Sequence, residues 1–325
     1  MTYNRRKFLG LASLSAASIP FANKLTAQVG ADIFKGPDFK SKIVPITVSE
    51  RKARIAKAQE LMSKEKIDAL FLEGTTTCFY FTGMRWGQSE RTFGVVIPAN
   101  GDIIYICPKF EEDRAKELIK PEFGKEIRCW EEHESPYQLI ANAVKDRGVK
   151  YNKIGMEEGV RFFIANGVKK VAPSFDIVDA TPITAGCRMY KSKAEIDLMQ
   201  IANDVTIEAY KMAFPTIKAG MSQTEFSANI SSAFRKLGFS GGAMVIVGKY
   251  SALPHGSIAP QTIQEGDIVL IDGGTSCEGY QSDISRTICV GKPSQRQIDV
   301  WNLEKQAQDA AFAAIKMGAP CEVVD

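Results

Sequence analysis

The sequence predicts an α+β chain of two domains, and three observations predict it. Helical and strand-like segments alternate from Ser49 to about Asp179, the pattern of an α/β domain. The region after Arg188 has a different order: two helices, several strands broken by glycine, then a third helix. The length of 325 residues suits two ordinary domains and is well past what one core needs. Hydrophobic residues make up 45% and charged residues 24%, the globular mixture, so global disorder is not expected. The net charge of +3 is weak and dispersed, and no Lys/Arg block follows the first residues, so a nucleic-acid partner is not expected.

Those first residues read "NRRKFLGLASLSAASIPFA". Arg5 and Arg6 precede an uncharged run rich in Ala, Ser and Leu, with small residues near its end. This is the three-part layout of an export signal. Paired arginines followed by Phe8 and Leu9 resemble a twin-arginine signal, with Asn4 and Gly10 departing from its usual flanks. Cleavage is expected after Ala22 or Ala27. The run is too short and too rich in serine to span a bilayer comfortably. An exported, periplasmic protein is therefore expected, with no stable membrane association once residues 1–27 are removed. That removal takes Arg5, Arg6, Lys7 and Lys24 and no acid, and so lowers the net charge from +3 to −1.

The seven cysteines include no C-x-x-C pair, which argues against a zinc knuckle or a dithiol redox motif. Cys107 and Cys289 sit in apolar strand-like runs and read as small core hydrophobes. A twin-arginine substrate folds before export in the reducing cytoplasm, where buried thiols are tolerable.

Residues 28–48 hold no periodicity and contain Gly30, Gly36, Pro37 and Pro45, so a tether is expected. Ser49 is expected to cap a helix reaching about Lys66, with Ile55, Ala58, Leu61 and Met62 on its apolar stripe. "IDALFLEG" reads as a buried strand. "FGVVIPANGDIIYICP" reads as two strands joined at Asn100-Gly101. Together these place a first domain over residues 49–185. The second domain, 186–325, announces its helices with three capping boxes: Ser192 to Glu195, Ser222 to Glu225 and Ser294 to Gln297. The final "GAPCEVVD" reads as the opening of a further helix at Cys321, so the second domain is expected to be represented by its first part only.

The chemistry concentrates in "VLIDGGTSCEGYQSDISRTICVG". The run "DIVLID" is apolar from Ile268 to Ile271 and reads as a strand buried on both faces, with Asp272 at its end. "GGTSCEG" supplies turn residues. On the return strand Asp283, Ser285, Thr287 and Cys289 share one face. If Asp272 and Asp283 stand opposite each other, their Cβ atoms lie about 5 Å apart. Two carboxylates that close in a dry place must share a proton, find a basic partner or bind a cation. Each aspartate alone has an ordinary explanation: Asp272 as a turn residue, Asp283 as a partner of Arg286 or as a solvated acid. The pair together favours a site, and oxygen ligands suit hard cations such as manganese or magnesium, or zinc when an imidazole joins. His255 lies between Pro254 and Gly256, where a loop can present it to a ligand as a proton or hydrogen-bond donor. His133, among acids in "WEEHESP", reads as an ordinary surface histidine.

In order and spacing, "SALPHGS", "EGDIVLIDGG" and "GYQSDISRTI" resemble the creatinase/aminopeptidase P/prolidase family of pita-bread metallopeptidases. "TTTCFYFTGMRW" is similar, more loosely, to that family's N-terminal domain. The resemblance implies a creatinase-type N-terminal domain followed by an incomplete pita-bread catalytic domain. It implies that Asp272 and Asp283 ligate two divalent metals, manganese foremost with cobalt or zinc as alternatives, and that a hydroxide bridging them attacks the peptide carbonyl. It implies that His255 contacts the peptide substrate, often one with proline in second position, and it suggests a homodimer. The family site also needs a later histidine and two later glutamates, and no histidine follows His255 here. Two other readings stay open: a metal-free amidinohydrolase like creatinase, which would have the aspartates replaced, and a non-catalytic binding module.

Overall fold

The computed structural model describes residues 37–324; the expected export signal and residues 28–36 of the expected tether lie outside them. The described residues pack as two compact units, Ile43–Gln200 and a second made of residues 37–42 with 201–324.

The first unit opens with helix α1, Val48–Glu65. Its cap is Thr47 rather than Ser49: the Thr47 hydroxyl accepts from the Glu50 amide at 3.1 Å, two residues ahead of the serine. Ile55, Ala58 and Met62 are buried as the stripe requires, and so, unexpectedly, are Arg51 and Arg54. Strand β1 (Ala69–Glu73), helix α2 (Thr76–Thr82), strands β2 (Gly94–Pro98) and β3 (Ile104–Pro108), helix α3 (Glu112–Leu118) and strand β4 (Glu126–Trp130) follow. Helix α4 (Pro136–Lys145), strand β5 (Lys153–Met156), helix α5 (Phe162–Val171), strand β6 (Asp176–Asp179) and helix α6 (Thr181–Arg188) complete this part.

The six strands form one sheet in the order β4-β3-β2-β1-β5-β6, with β2 antiparallel to both its neighbours and the other pairings parallel. The period of two splits the apolar residues between two faces. Leu70, Leu72, Val95, Ile97 and Tyr105 pack with Ile55, Met62 and Phe81. Phe71, Val96, Ile104 and Ile106 pack with Ile140, Val144, Ile164 and Val168 on the other side. Both faces are covered by helices, which is why β1, β2 and β3 read as continuous apolar runs.

The second unit takes most of its helix α7, Lys193–Ala213, from Ile201 onward. At the start of α7 the expected capping box is present: the Ser192 amide donates to Glu195 at 2.7 Å and the Glu195 amide to Ser192 Oγ at 3.3 Å. Helix α8 (Gln223–Lys236) starts at the Ser222–Glu225 box and ends before Gly238, whose φ of 82° suits a helix terminus. Strands β7 (Gly241–Val247), β8 (Ile268–Cys277), β9 (Tyr280–Gln281) and β10 (Ile284–Cys289) are antiparallel, with β8 between β7 and β10. Helix α9, Gln295–Ala314, opens at the Ser294–Gln297 box and buries none of its residues; Trp301, Leu303 and Phe312 are exposed. Cys321–Val323 form a single 3-10 turn where the sequence predicts the opening of a helix.

No described helix is long and apolar enough to cross a membrane. All seven cysteines are free thiols; Cys107 is fully buried and Cys289 partly so.

Candidate metal centre

Strand β8 is ten residues long, so Asp272 stands in its middle and not at its end. Gly273, Gly274, Thr275, Ser276 and Cys277 belong to the strand. The turn is only Glu278-Gly279, both at positive φ, 50° and 88°. That pair forms a two-residue hairpin loop of the kind whose backbone twist matches antiparallel strands. It sets one register for the whole hairpin: Cys277 pairs with Tyr280, Ser276 with Gln281, Gly273 with Ile284 and Asp272 with Ser285.

Asp272 and Asp283 are therefore on one face but diagonal, not opposed. Diagonal neighbours are about 7–8 Å apart, too far to share a proton. Nor is the face dry: Asp272 is half-buried and Asp283 exposed. The strand expected to be buried on both faces alternates instead, with Val269 and Ile271 buried and Ile268, Leu270 and Asp272 partly open. Helices α7 and α8 account for the alternation. Tyr210 of α7 and Phe234 of α8 touch ring to edge, and the ring of Phe234 lies against Gly241 on the face shared with Ile271. The face with Asp272, Asp283 and Ser285 is left open.

Ser285 donates its hydroxyl to Asp272 Oδ1 at 2.6 Å. Arg286 lies on the opposite face and donates to the Ser285 carbonyl, so it does not neutralise Asp283. Among the described residues no ion pair involves either aspartate. Two carboxylates on one open face without a cationic partner have the donor chemistry of a divalent-cation site. Among the described residues no third His, Cys, Asp or Glu completes a cluster with them.

His255 is exposed in a turn closed by the Gly256 amide donating to the Leu253 carbonyl at 2.9 Å, with Gly256 at φ 73°. A Cβ on Gly256 would come within 3.3 Å of Met244 Sδ and of Ile246 Cδ1. Met244 and Ile246 are the register partners of Asp272 and Leu270. The His255 turn thus lies over the strand pair that bears Asp272, on the same face. His133 is exposed in the other unit and takes no part.

Sequence reasoning missed the support beneath the site. The ladder breaks between Gln281 and Ile284. There the Thr275 amide donates to Ser282 Oγ at 2.9 Å instead of to a backbone carbonyl. The Ser282 carbonyl turns over Gly274, where a Cβ would lie 2.1 Å from it. Tyr210 lies behind Ile284, its hydroxyl donating to the Ile284 carbonyl at 2.9 Å. Burial above all, with the charges of Asp272 and Asp283 adding, pushes the Tyr210 phenol well above its ordinary value, so it remains a protonated donor. The apolar spacing of α7 could have placed Tyr210 inward; nothing in the sequence linked it to Ile284.

Residues 197–325 match the model of metallopeptidase family M24, and residues 54–190 match the creatinase/prolidase N-terminal domain. An uncharacterized peptidase of Schizosaccharomyces pombe is 31% identical over 307 residues, which are 89% of this chain and 66% of that protein. The chain thus spans just under two thirds of that relative's length. Among solved structures, a recombinant prolidase from Thermococcus sibiricus superposes with a TM-score of 0.75 at 26% identity, covering 85% of this chain and 75% of that one. Dipeptidase PepE from Mycobacterium ulcerans gives 0.74 at 25% identity, covering 82% and 72%. The chain carries a creatinase/prolidase N-terminal domain followed by a pita-bread domain of metallopeptidase family M24.

Proposed function

We propose that this protein is a metal-dependent aminopeptidase that releases an N-terminal residue from peptides with proline in second position. One observation carries the reading: Asp272 and Asp283 share an open sheet face without a cationic partner, and the His255 turn lies over that face. Asp272 and Asp283 would hold divalent ions, manganese foremost, with cobalt or zinc as alternatives. Bound there, such ions supply Lewis acidity and lower the pKa of water to near neutrality. The chain's own residues do the rest. Ser285 fixes one oxygen of Asp272, which leaves the other free. His255, exposed on a turn with a fixed backbone, donates a hydrogen bond to the substrate carbonyl as charge develops on it. The protein is exported to the periplasm by residues 1–27 and works as a homodimer.

The direct test is hydrolysis of a Gly-Pro-type peptide by the full-length protein as manganese is titrated in. Asp272→Asn and Asp283→Asn should each abolish activity and manganese binding, while His255→Ala should lower kcat and spare manganese binding. Activity surviving Asp283→Asn would sink the reading. For the export signal, a folded reporter fused to residues 1–27 should reach the periplasm of a bacterial host, and Arg5→Lys with Arg6→Lys should stop it.

A further inference from the structure

Asp283 is gripped on both sides by one helix. Its predecessor, Ser282, shares a 2.7 Å hydrogen bond between hydroxyls with Thr206 of α7, and both residues are buried. Its successor, Ile284, accepts at its carbonyl from the buried Tyr210 hydroxyl at 2.9 Å. Thr206 and Tyr210 are four residues apart and so lie one above the other on a single helix face. They reach the strand from behind, since Ser282 and Ile284 belong to the face opposite the aspartates.

The grip falls where the ladder fails. The Ser282 amide still donates to the Thr275 carbonyl at 3.0 Å, but the Thr275 amide turns to Ser282 Oγ. The ladder's return bond to the Ser282 carbonyl, the carbonyl that leads into Asp283, is thus replaced by a side-chain bond. Thr206 in turn anchors to the Ala202 carbonyl at 3.0 Å, which ties Ser282 to the helix backbone. An ordinary edge strand needs no such device. Rigid support behind a carboxylate matters when that carboxylate must meet a ligand at a fixed place, because a ligand oxygen displaced by a fraction of an ångström loses affinity.

We propose that Thr206 and Tyr210 are positioning residues that set the place of the Asp283 carboxylate for a divalent cation. The inference rests on Asp283 being a metal ligand, and the experiment separates the two. Manganese affinity of the full-length protein is measured by equilibrium dialysis for Tyr210→Phe, Thr206→Val, Thr206→Ser and Asp283→Asn. Tyr210→Phe keeps the buried ring, and Thr206→Ser keeps the hydroxyl. Tyr210→Phe and Thr206→Val should each weaken manganese binding about tenfold, and Thr206→Ser should restore the parent value. KM for the peptide should stay unchanged at saturating manganese. Phe226→Leu, a buried core variant of α8 in the same unit, should keep the parent affinity.

Parent-like manganese binding in Tyr210→Phe and Thr206→Val, beside a loss in Asp283→Asn, overturns the positioning role and leaves the metal site standing. Parent-like binding in Asp283→Asn overturns both. An equal loss in Phe226→Leu reduces the effect to general destabilisation and also overturns the positioning role. Should Thr206→Val fail to fold, Tyr210→Phe alone decides.

Discussion

Asp272 stands directly across the β8–β10 ladder from Ser285, whose hydroxyl donates to its Oδ1 at 2.6 Å. The serine fixes the rotation of the carboxylate and occupies one of its oxygens. Ser285 is exposed, so its removal should change stability by no more than about 0.5 kcal/mol. Partners that orient a metal ligand typically contribute about tenfold or more in metal affinity. Ser285→Ala should therefore bind manganese more weakly by that factor, with a melting temperature close to the parent's. Unchanged affinity by equilibrium dialysis would remove Ser285 from the site.

Gly273 and Gly274 are set by backbone approach, not by a turn. A Cβ on Gly274 would lie 2.1 Å from the Ser282 carbonyl oxygen, and one on Gly273 would lie 2.3 Å from the Gly242 carbonyl oxygen. Both obstacles are main chain and cannot rotate away. Gly274→Ala should cost about 2 kcal/mol or more as the hairpin is forced apart beside Asp283. Denaturant unfolding of the variant measures it, and a cost within about 0.5 kcal/mol, the range of an ordinary surface change, would mean that the hairpin relaxes freely.

That glycine pair also shows why the site was only partly legible. Spacing placed Asp283 and Ser285 on one face of the return strand because side chains alternate along any strand, and left the position of Asp272 against them conditional on the pairing. It did not give the register, which depends on where the turn falls. "GGTSCEG" offers several turn residues, and only the positive φ of both Glu278 and Gly279 shows that the reversal takes two of them. The same limit applies to the helix cap, where Thr47 and Ser49 are both competent and the chain direction before the helix chooses Thr47. The capping boxes at Ser192, Ser222 and Ser294 were readable because each is local. The bonds from Thr206 and Tyr210 to the strand were not, since they join residues 76 and 74 positions apart.

A second buried polar cluster lies in the first unit. Arg54 bonds Glu50 at 2.8 Å and Glu195 at 3.3 Å, and donates to the Tyr80 carbonyl at 3.0 Å. The side chains of Arg54 and Glu195 are each 5% exposed. Glu195→Gln removes one of two carboxylates from the buried Arg54 and leaves Glu50 as its counter-charge. It should therefore destabilise by about 1–3 kcal/mol, the range of a lost buried hydrogen bond to a charged group. The acid response follows from Glu50. Burial raises its carboxyl, but bonds from the Ser192 hydroxyl and Arg54, with the charges of Arg54 and Arg51, outweigh burial and hold it below 4.5. A depressed carboxyl adds stability that is complete above its unfolded value and lost as pH falls through the folded one. Denaturant midpoints should fall below pH 4.5, and Glu50→Gln should shallow that decline. An unchanged slope would assign the acid loss elsewhere.

The alkaline response has the opposite sign and other residues. Burial pushes the Cys78 and Cys107 thiols from 9.0 up to about 12. In the unfolded chain these thiols ionise from about pH 9, while the folded core keeps them protonated. Their contribution is therefore complete below about pH 9 and lost as pH rises toward about 12, at a limiting slope of about 1.4 kcal/mol per pH unit for each thiol. Urea unfolding at about pH 8, 9.5 and 11, values that bracket the unfolded ionisation, should show this loss. Cys78→Ala will be less stable at every pH because it empties core volume, so the informative quantity is the slope, which should fall by one thiol's share. In the native protein neither buried thiol should react with an aromatic disulfide reagent, whereas the exposed Cys321 should react at once. Rapid labelling of Cys78 in native conditions, or a slope unaffected by Cys78→Ala, would contradict the buried, protonated state.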